Sequence, residues 1–150
     1  MNTTTTLSSG FTDAEKAAMK ARAEELRSSG RGGAKKAEEA QACLGAIAAM
    51  PEDDRILAER VHTLVSEAAP TLRPKTWYGM PAYVDENGKV VCFFKPATKF
   101  GARYSTLGFT DAAHLDHGDM WPTEYALTGM PTEVAATIAK LVRVAVGSAG

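Results

Sequence analysis

The chain has few cysteines: Cys43 and Cys92 are the only two among 150 residues. They fall in segments that read as a helix and a strand, without the spacing of a metal knuckle or a redox pair. A disulfide framework is excluded, and two buried free thiols in a reducing cytosol are expected. Long apolar runs are missing as well. Nowhere do roughly eighteen apolar residues follow one another, as a membrane-spanning helix requires, and Met1, Asn2 and Thr3 open without the basic and apolar stretches of a secretory leader. A cytoplasmic protein is expected. Nor is there an excess of charge: the formal net charge is −1 with both signs mixed, so no global field gathers nucleic acid or an anionic membrane. Neither is expected as a partner. No serine has a nucleophile-elbow context, no glycine loop fits a phosphate cradle, and H-E-x-x-H does not occur. Whether the chain is an enzyme stays open.

What remains is enough for one domain with a single core, since a chain of this length buries roughly 68–70% of its unfolded surface. Residues 1–10, rich in Thr and Ser, bury nothing and read as a disordered tail. Thr12 and Glu15 form a capping box that opens a helix reaching about Ser28, with Phe11, Met19 and Leu26 as its only large apolar groups. Arg31, Gly32 and Gly33 read as a hinge, followed by a second helix ending at Met50. Residues 11–49 thus form an N-terminal helical hairpin, an extension to an α+β unit over residues 50–150 within one globular whole. Pro51, with Glu52, Asp53 and Asp54 behind it, starts a third helix in the way proline geometry and the helix dipole favour; Leu57, Val61, Leu64, Val65 and Ala68 give it one apolar stripe.

Beyond Pro74 the period changes to that of strands. Residues 76–84 and 89–95 read as a hairpin whose Asn87-Gly88 pair supplies positive φ, with Pro81 marking an edge or bulge. Residues 103–109 and 124–127 add strands, residues 111–115 suggest one helical turn capped by Thr110, and Pro131 opens a last helix that Gly147 ends. The expectation is an α+β fold in which a small antiparallel sheet of four or five strands is packed with helices.

Side chains alternate along a strand, so this sheet is bulky on both faces. The third and last helices can cover one face; the N-terminal helices, a partner or a ligand must cover the other. Trp77, Met80, Tyr83, Tyr104, Trp121 and Tyr125 could wall a small-molecule pocket, with Lys95 or Arg103 holding an anionic group; the same aromatics would equally serve as core. Charge is segregated: residues 73–103 hold an excess of basic side chains, whereas Asp111, Asp116, Asp119, Glu124 and Glu133 meet no base between residues 104 and 139. His114, Asp116, His117 and Asp119 are the one cluster with metal-ligand chemistry, and His114 and His117 at i,i+3 could face the same way on a helical turn.

Lys75, Thr76, Trp77, Tyr78, Gly79, Met80, Pro81, Ala82 and Tyr83, followed by the strands at residues 90–95 and 104–109, resemble the YdhG-like family, the bacterial domain of unknown function 1801. The resemblance covers roughly residues 50–146. It implies an antiparallel sheet with helices packed on it, and some members are described as frataxin-type intracellular iron chaperones. Iron is then the implied cofactor, Asp53 and Asp54 belong to the comparable acidic helix start, and the hairpin before Met50 lies outside the family core. Three readings follow: a binding protein holding Fe(II) weakly, a small-molecule-binding protein or enzyme with an aromatic pocket on the sheet, and an interaction module, monomer or homodimer, whose aromatic face meets a second copy.

Overall fold

The computed structural model describes residues 10–28 and 32–147; residues 1–9 of the expected tail and Arg31 of the expected hinge lie outside them. Three helices, α1 (Asp13–Ser28), α2 (Gly33–Ala48) and α3 (Glu52–Ala68), precede the strands β1 (Arg73–Trp77), β2 (Met80–Val84) and β3 (Val90–Lys95). A short helix α4 (Ala97–Phe100), strands β4 (Ser105–Phe109) and β5 (Glu124–Leu127) and helix α5 (Thr132–Ala145) complete the chain. The five strands form one antiparallel meander in sequence order. The fold is α+β, as expected.

Local chemistry accounts for the helix starts. The Thr12 amide donates to Glu15 Oε1 at 2.9 Å and the Glu15 amide to Thr12 Oγ1 at 3.0 Å, the reciprocal capping box read from the sequence. Pro51 and Pro131 each sit one position earlier than expected, as cap residues with extended ψ, and α3 then carries Glu52, Asp53 and Asp54 in its first turn. The sequence reading missed α4, although Pro96 precedes it and Gly101 closes it with φ +64°.

Alternation assigns the sheet's two faces. Tyr83, Cys92 and Phe109 pair in one row across β2, β3 and β4, and they share a buried cluster with Val61 and Val65 of α3 and Ile138 and Val142 of α5. The third and last helices therefore cover this face, as the sequence implied. Lys75, Ala82, Phe93 and Gly108 form the opposite row. There α2 lies over β1 and β2, with Glu39 reaching Lys75 Nζ at 3.1 Å and Arg73 at 4.0 Å. A methyl group on Gly108 would meet the Phe93 ring at 2.2 Å, so the bare backbone lets that ring lie on the sheet beside Trp77, 5.3 Å between centroids.

Three expectations are corrected. Residues 76–84 are not one strand: Tyr78 (φ 54°) and Gly79 (φ 77°) reverse the chain, and Trp77 pairs with Met80 across that two-residue turn. Two consecutive positive φ values are the signature of the tight hairpin turn, here without the Asn-Gly pair that usually marks it. At the next hairpin only Gly88 takes positive φ, because Asp85 Oδ1 accepts from the amides of Asn87 (2.9 Å) and Lys89 (3.0 Å) and builds a longer loop. Residues 111–115 form a hydrogen-bonded turn, Ala113 N to Thr110 O at 3.0 Å, instead of a helical one. Pro81 lies inside β2; its pair with Thr76 follows the closing pair of the hairpin, so its missing N–H falls where pairing with β3, which begins at Ala82, has not started.

One buried carboxylate ties the helical layer to the sheet's end. Asp54, 2% exposed, accepts from the Thr98 amide at 3.1 Å, the Thr98 hydroxyl at 3.1 Å and the Lys99 amide at 3.4 Å, satisfying the open N–H groups of α4. Asp54→Ala should lower unfolding free energy by about 2–3 kcal/mol, the range for hydrogen bonds to a charged group. Asp54→Asn, which keeps one acceptor oxygen, should lose less. Urea unfolding of the three proteins measures both; equal stabilities would refute the tie.

Candidate functional site

The aromatic residues singled out in the sequence do not converge. Trp77 and Met80 share the face covered by α1 and α2, whereas Tyr83 points to the other and is 1% exposed. Burial pushes the Tyr83 phenol well above its ordinary value, and its hydroxyl lies 3.0 Å from His62 Nδ1 of α3. Lys95 Nζ is 5.1 Å from the centroid of Phe100, a ring outside that set, whereas Arg103 lies 5.2 Å over Tyr104, the one expected pairing of base and ring that forms. Trp121 and Tyr125 are together, in a hollow elsewhere. The turn at Tyr78 and Gly79 is the reason for the separation: it restarts the alternation, so Trp77 and Tyr83 cannot face the same way.

The hollow that holds Trp121 and Tyr125 is a groove of about 460 Å³ between the β5 side of the sheet and α5. Tyr125 is fixed by its pairing with Leu107 and by an edge contact to Phe109, 6.2 Å between centroids. Thr137, Lys140, Leu141 and Val144 line the other wall; their spacing of three, one and three places them on one side of α5. The loop carrying Leu115, His117 and Trp121 is pinned by the His114 amide, which donates to Ala145 O at 2.8 Å. Met120 closes the groove's edge while 88% exposed. Sequence reasoning named Trp121 and Tyr125 and missed Lys140, Leu141 and Val144, although the helical period of the last helix was visible.

The acids and histidines considered as metal ligands are dispersed. Asp53 is exposed on α3, and Asp54 is engaged by α4. His114 borders a hollow of about 570 Å³ with Asp85 and Glu86, His117 borders the Trp121 groove, and Asp116 and Asp119 line a third hollow of about 560 Å³. Among the described residues no group of three or more His, Cys, Asp or Glu is placed to hold a metal ion. The helical turn that would have aligned His114 and His117 is not formed, which accounts for their separation.

Both thiols are free and buried. Burial raises Cys43 to about 11 and Cys92 to about 12, so neither is a thiolate nucleophile at neutral pH. A partly exposed cluster also went unseen in the sequence. The Glu25 carboxylate of α1 accepts the Tyr78 and Gly79 amides, both at 3.0 Å, across more than fifty residues that no local pattern connects. Compared with protein-family models, curated proteins and solved structures, the chain matches none.

Burial lowers the pKa of His62 below the ordinary imidazole value of about 6.5. Between those two values the unfolded chain binds the proton that the folded one refuses. The His62 contribution is therefore fully present above about pH 6.5 and declines as pH falls toward the lowered folded value. His62→Gln should flatten the fall in unfolding midpoint between pH 7 and 5 relative to the parent. Parallel profiles would show that His62 titrates alike in both states.

Proposed function

We propose that the chain is a small-molecule-binding protein whose site is the groove between β5 and α5, and that its ligand is a flat, apolar molecule bearing one anionic group. The carrying observation is the groove itself: about 460 Å³, walled by Trp121, Tyr125, Leu141 and the exposed Met120. Its volume lies within the 300–1,000 Å³ usual for such sites, and its mainly apolar lining with a few polar groups fits their general chemistry. Trp121 and Tyr125 supply wide faces for a planar ligand at low cost in side-chain entropy. Lys140 is the first Lys or Arg after Arg103 in the sequence and a member of the lining, which favours an anionic group there.

This reading keeps the aromatic pocket anticipated from the sequence and moves it from the sheet face to the sheet's edge. The resemblance to YdhG-like sequences bears on the sheet and its turn, and the groove does not depend on it. Iron has no ligand set among the described residues and is not part of the reading.

Trp77→Phe leaves Trp121 as the single tryptophan, since the chain has two. Titration with anilinonaphthalene sulfonate, an apolar aromatic anion, should quench Trp121 and saturate at one equivalent. In the parent chain Trp121→Ala should remove the dye's emission rise, and Lys140→Glu should weaken its binding at least tenfold, with both variants keeping the parent's circular dichroism and unfolding midpoint. Emission that never saturates, or that survives both substitutions, overturns the proposal.

A further inference from the structure

Independently of the groove, we propose that the turn between β1 and β2 is a receptor for an oxyanion, the carboxylate or phosphate group of a ligand, and that Glu25 of α1 is its intramolecular occupant. The receptor is made of backbone. Tyr78 N donates to Glu25 Oε1 and Gly79 N to Oε2, each at 3.0 Å, one amide for each oxygen. Successive amides presented by a tight turn form the kind of concavity that binds anions, and two-point contact to a carboxylate or phosphate is among the stronger hydrogen-bonding arrangements.

The surroundings fit the same ligand. Lys99 Nζ donates to Gly79 O at 3.0 Å and lies so close that a methyl group on Gly79 would meet it at 2.5 Å. Desolvation lowers the pKa of this ammonium, and the nearby Glu25 charge acts in the opposite direction. Beneath the turn, Tyr78 packs edge-on to Trp77 at 5.1 Å, and Trp77 packs on Phe93, giving an organic anion an aromatic floor. Tyr78 is the only non-glycine among the described residues with positive φ, a conformation that costs free energy and accumulates at ligand sites.

The occupant is lightly held. Among the described residues of α1 only Ala18 is a buried apolar residue, while Met19 is 41% and Leu26 60% exposed. Apolar packing therefore contributes little to seating α1, and polar contacts contribute to it: Glu25 on the turn, and Arg22 5.8 Å over the Tyr78 ring. A tethered carboxylate competes with free anions at an effective concentration on the order of millimolar, so the intact chain should bind external anions weakly and a chain without Glu25 should bind them well.

Amide NMR spectra of the full chain test this with two probes, inorganic phosphate and acetate. In Glu25→Ala, the Tyr78 and Gly79 amides should shift saturably at probe concentrations at least tenfold lower than in the parent, and adding Lys99→Ala should reverse that gain. Tighter saturation by acetate would assign a carboxylate ligand, tighter saturation by phosphate a phosphorylated one. In the parent, any probe that shifts Gly79 must also shift the Glu25 side-chain carboxyl carbon, because anion and Glu25 exclude each other; this measurement stands even if Glu25→Ala fails to fold. The proposal is overturned if Glu25→Ala responds no better than the parent, or if Gly79 in the parent moves while the Glu25 carboxyl carbon does not.

Discussion

The chain reversal at Tyr78 and Gly79 decides how the rest of the molecule is arranged. By ending β1 at Trp77 and restarting at Met80, it makes two strands of one apolar run and fixes the pairs from Arg73 with Val84 through Trp77 with Met80. A strand's faces are set by register, and a shift of one residue would exchange them. With this register Tyr83 enters the core beside Val61 and Val65, while Ala82 offers the small surface against which α2 can lie. The layer of α3 and α5 on one side and the N-terminal helices on the other both follow from it.

A second regularity runs through the molecule: four of its carboxylates meet backbone amides. Glu15 caps its own helix, Asp85 organises the loop after β2, Asp54 holds the start of α4, and Glu25 holds the turn. Each offers a charged acceptor to N–H groups that regular structure leaves open. Acids used in this way are dispersed by the topology of the open amides, and Asp54 among them is thereby engaged by α4.

What could be read in the sequence and what could not divide along physical lines. Elements whose cause is local were legible: the Thr12 and Glu15 box, the proline starts of α3 and α5, the stripe of α3, and the strands at residues 90–95 and 105–109. The turn at Tyr78 was not, because Tyr at positive φ contradicts local preference and is held by Glu25, Lys99 and strand pairing from elsewhere in the chain. The candidate site was half legible. Trp121 and Tyr125 stood out as aromatics in an acidic, turn-rich segment, but their partner wall on α5 depends on where the helix docks, and Trp77 was grouped with them only because the reversal was unseen.

The groove is the part of this arrangement in which apolar side chains remain concave and open to solvent after the two sheet faces are filled. Its walls come from elements far apart in sequence, an edge strand, a pinned loop and the last helix, so a ligand there would touch all three at once. Hydrogen exchange of the intact chain with and without anilinonaphthalene sulfonate tests that claim most directly. A ligand seated in the groove should slow exchange in residues 115–125 together with residues 137–144 and leave exchange in β1 and β2 unchanged. Protection absent from those two segments, or spread evenly over the sheet, would contradict it.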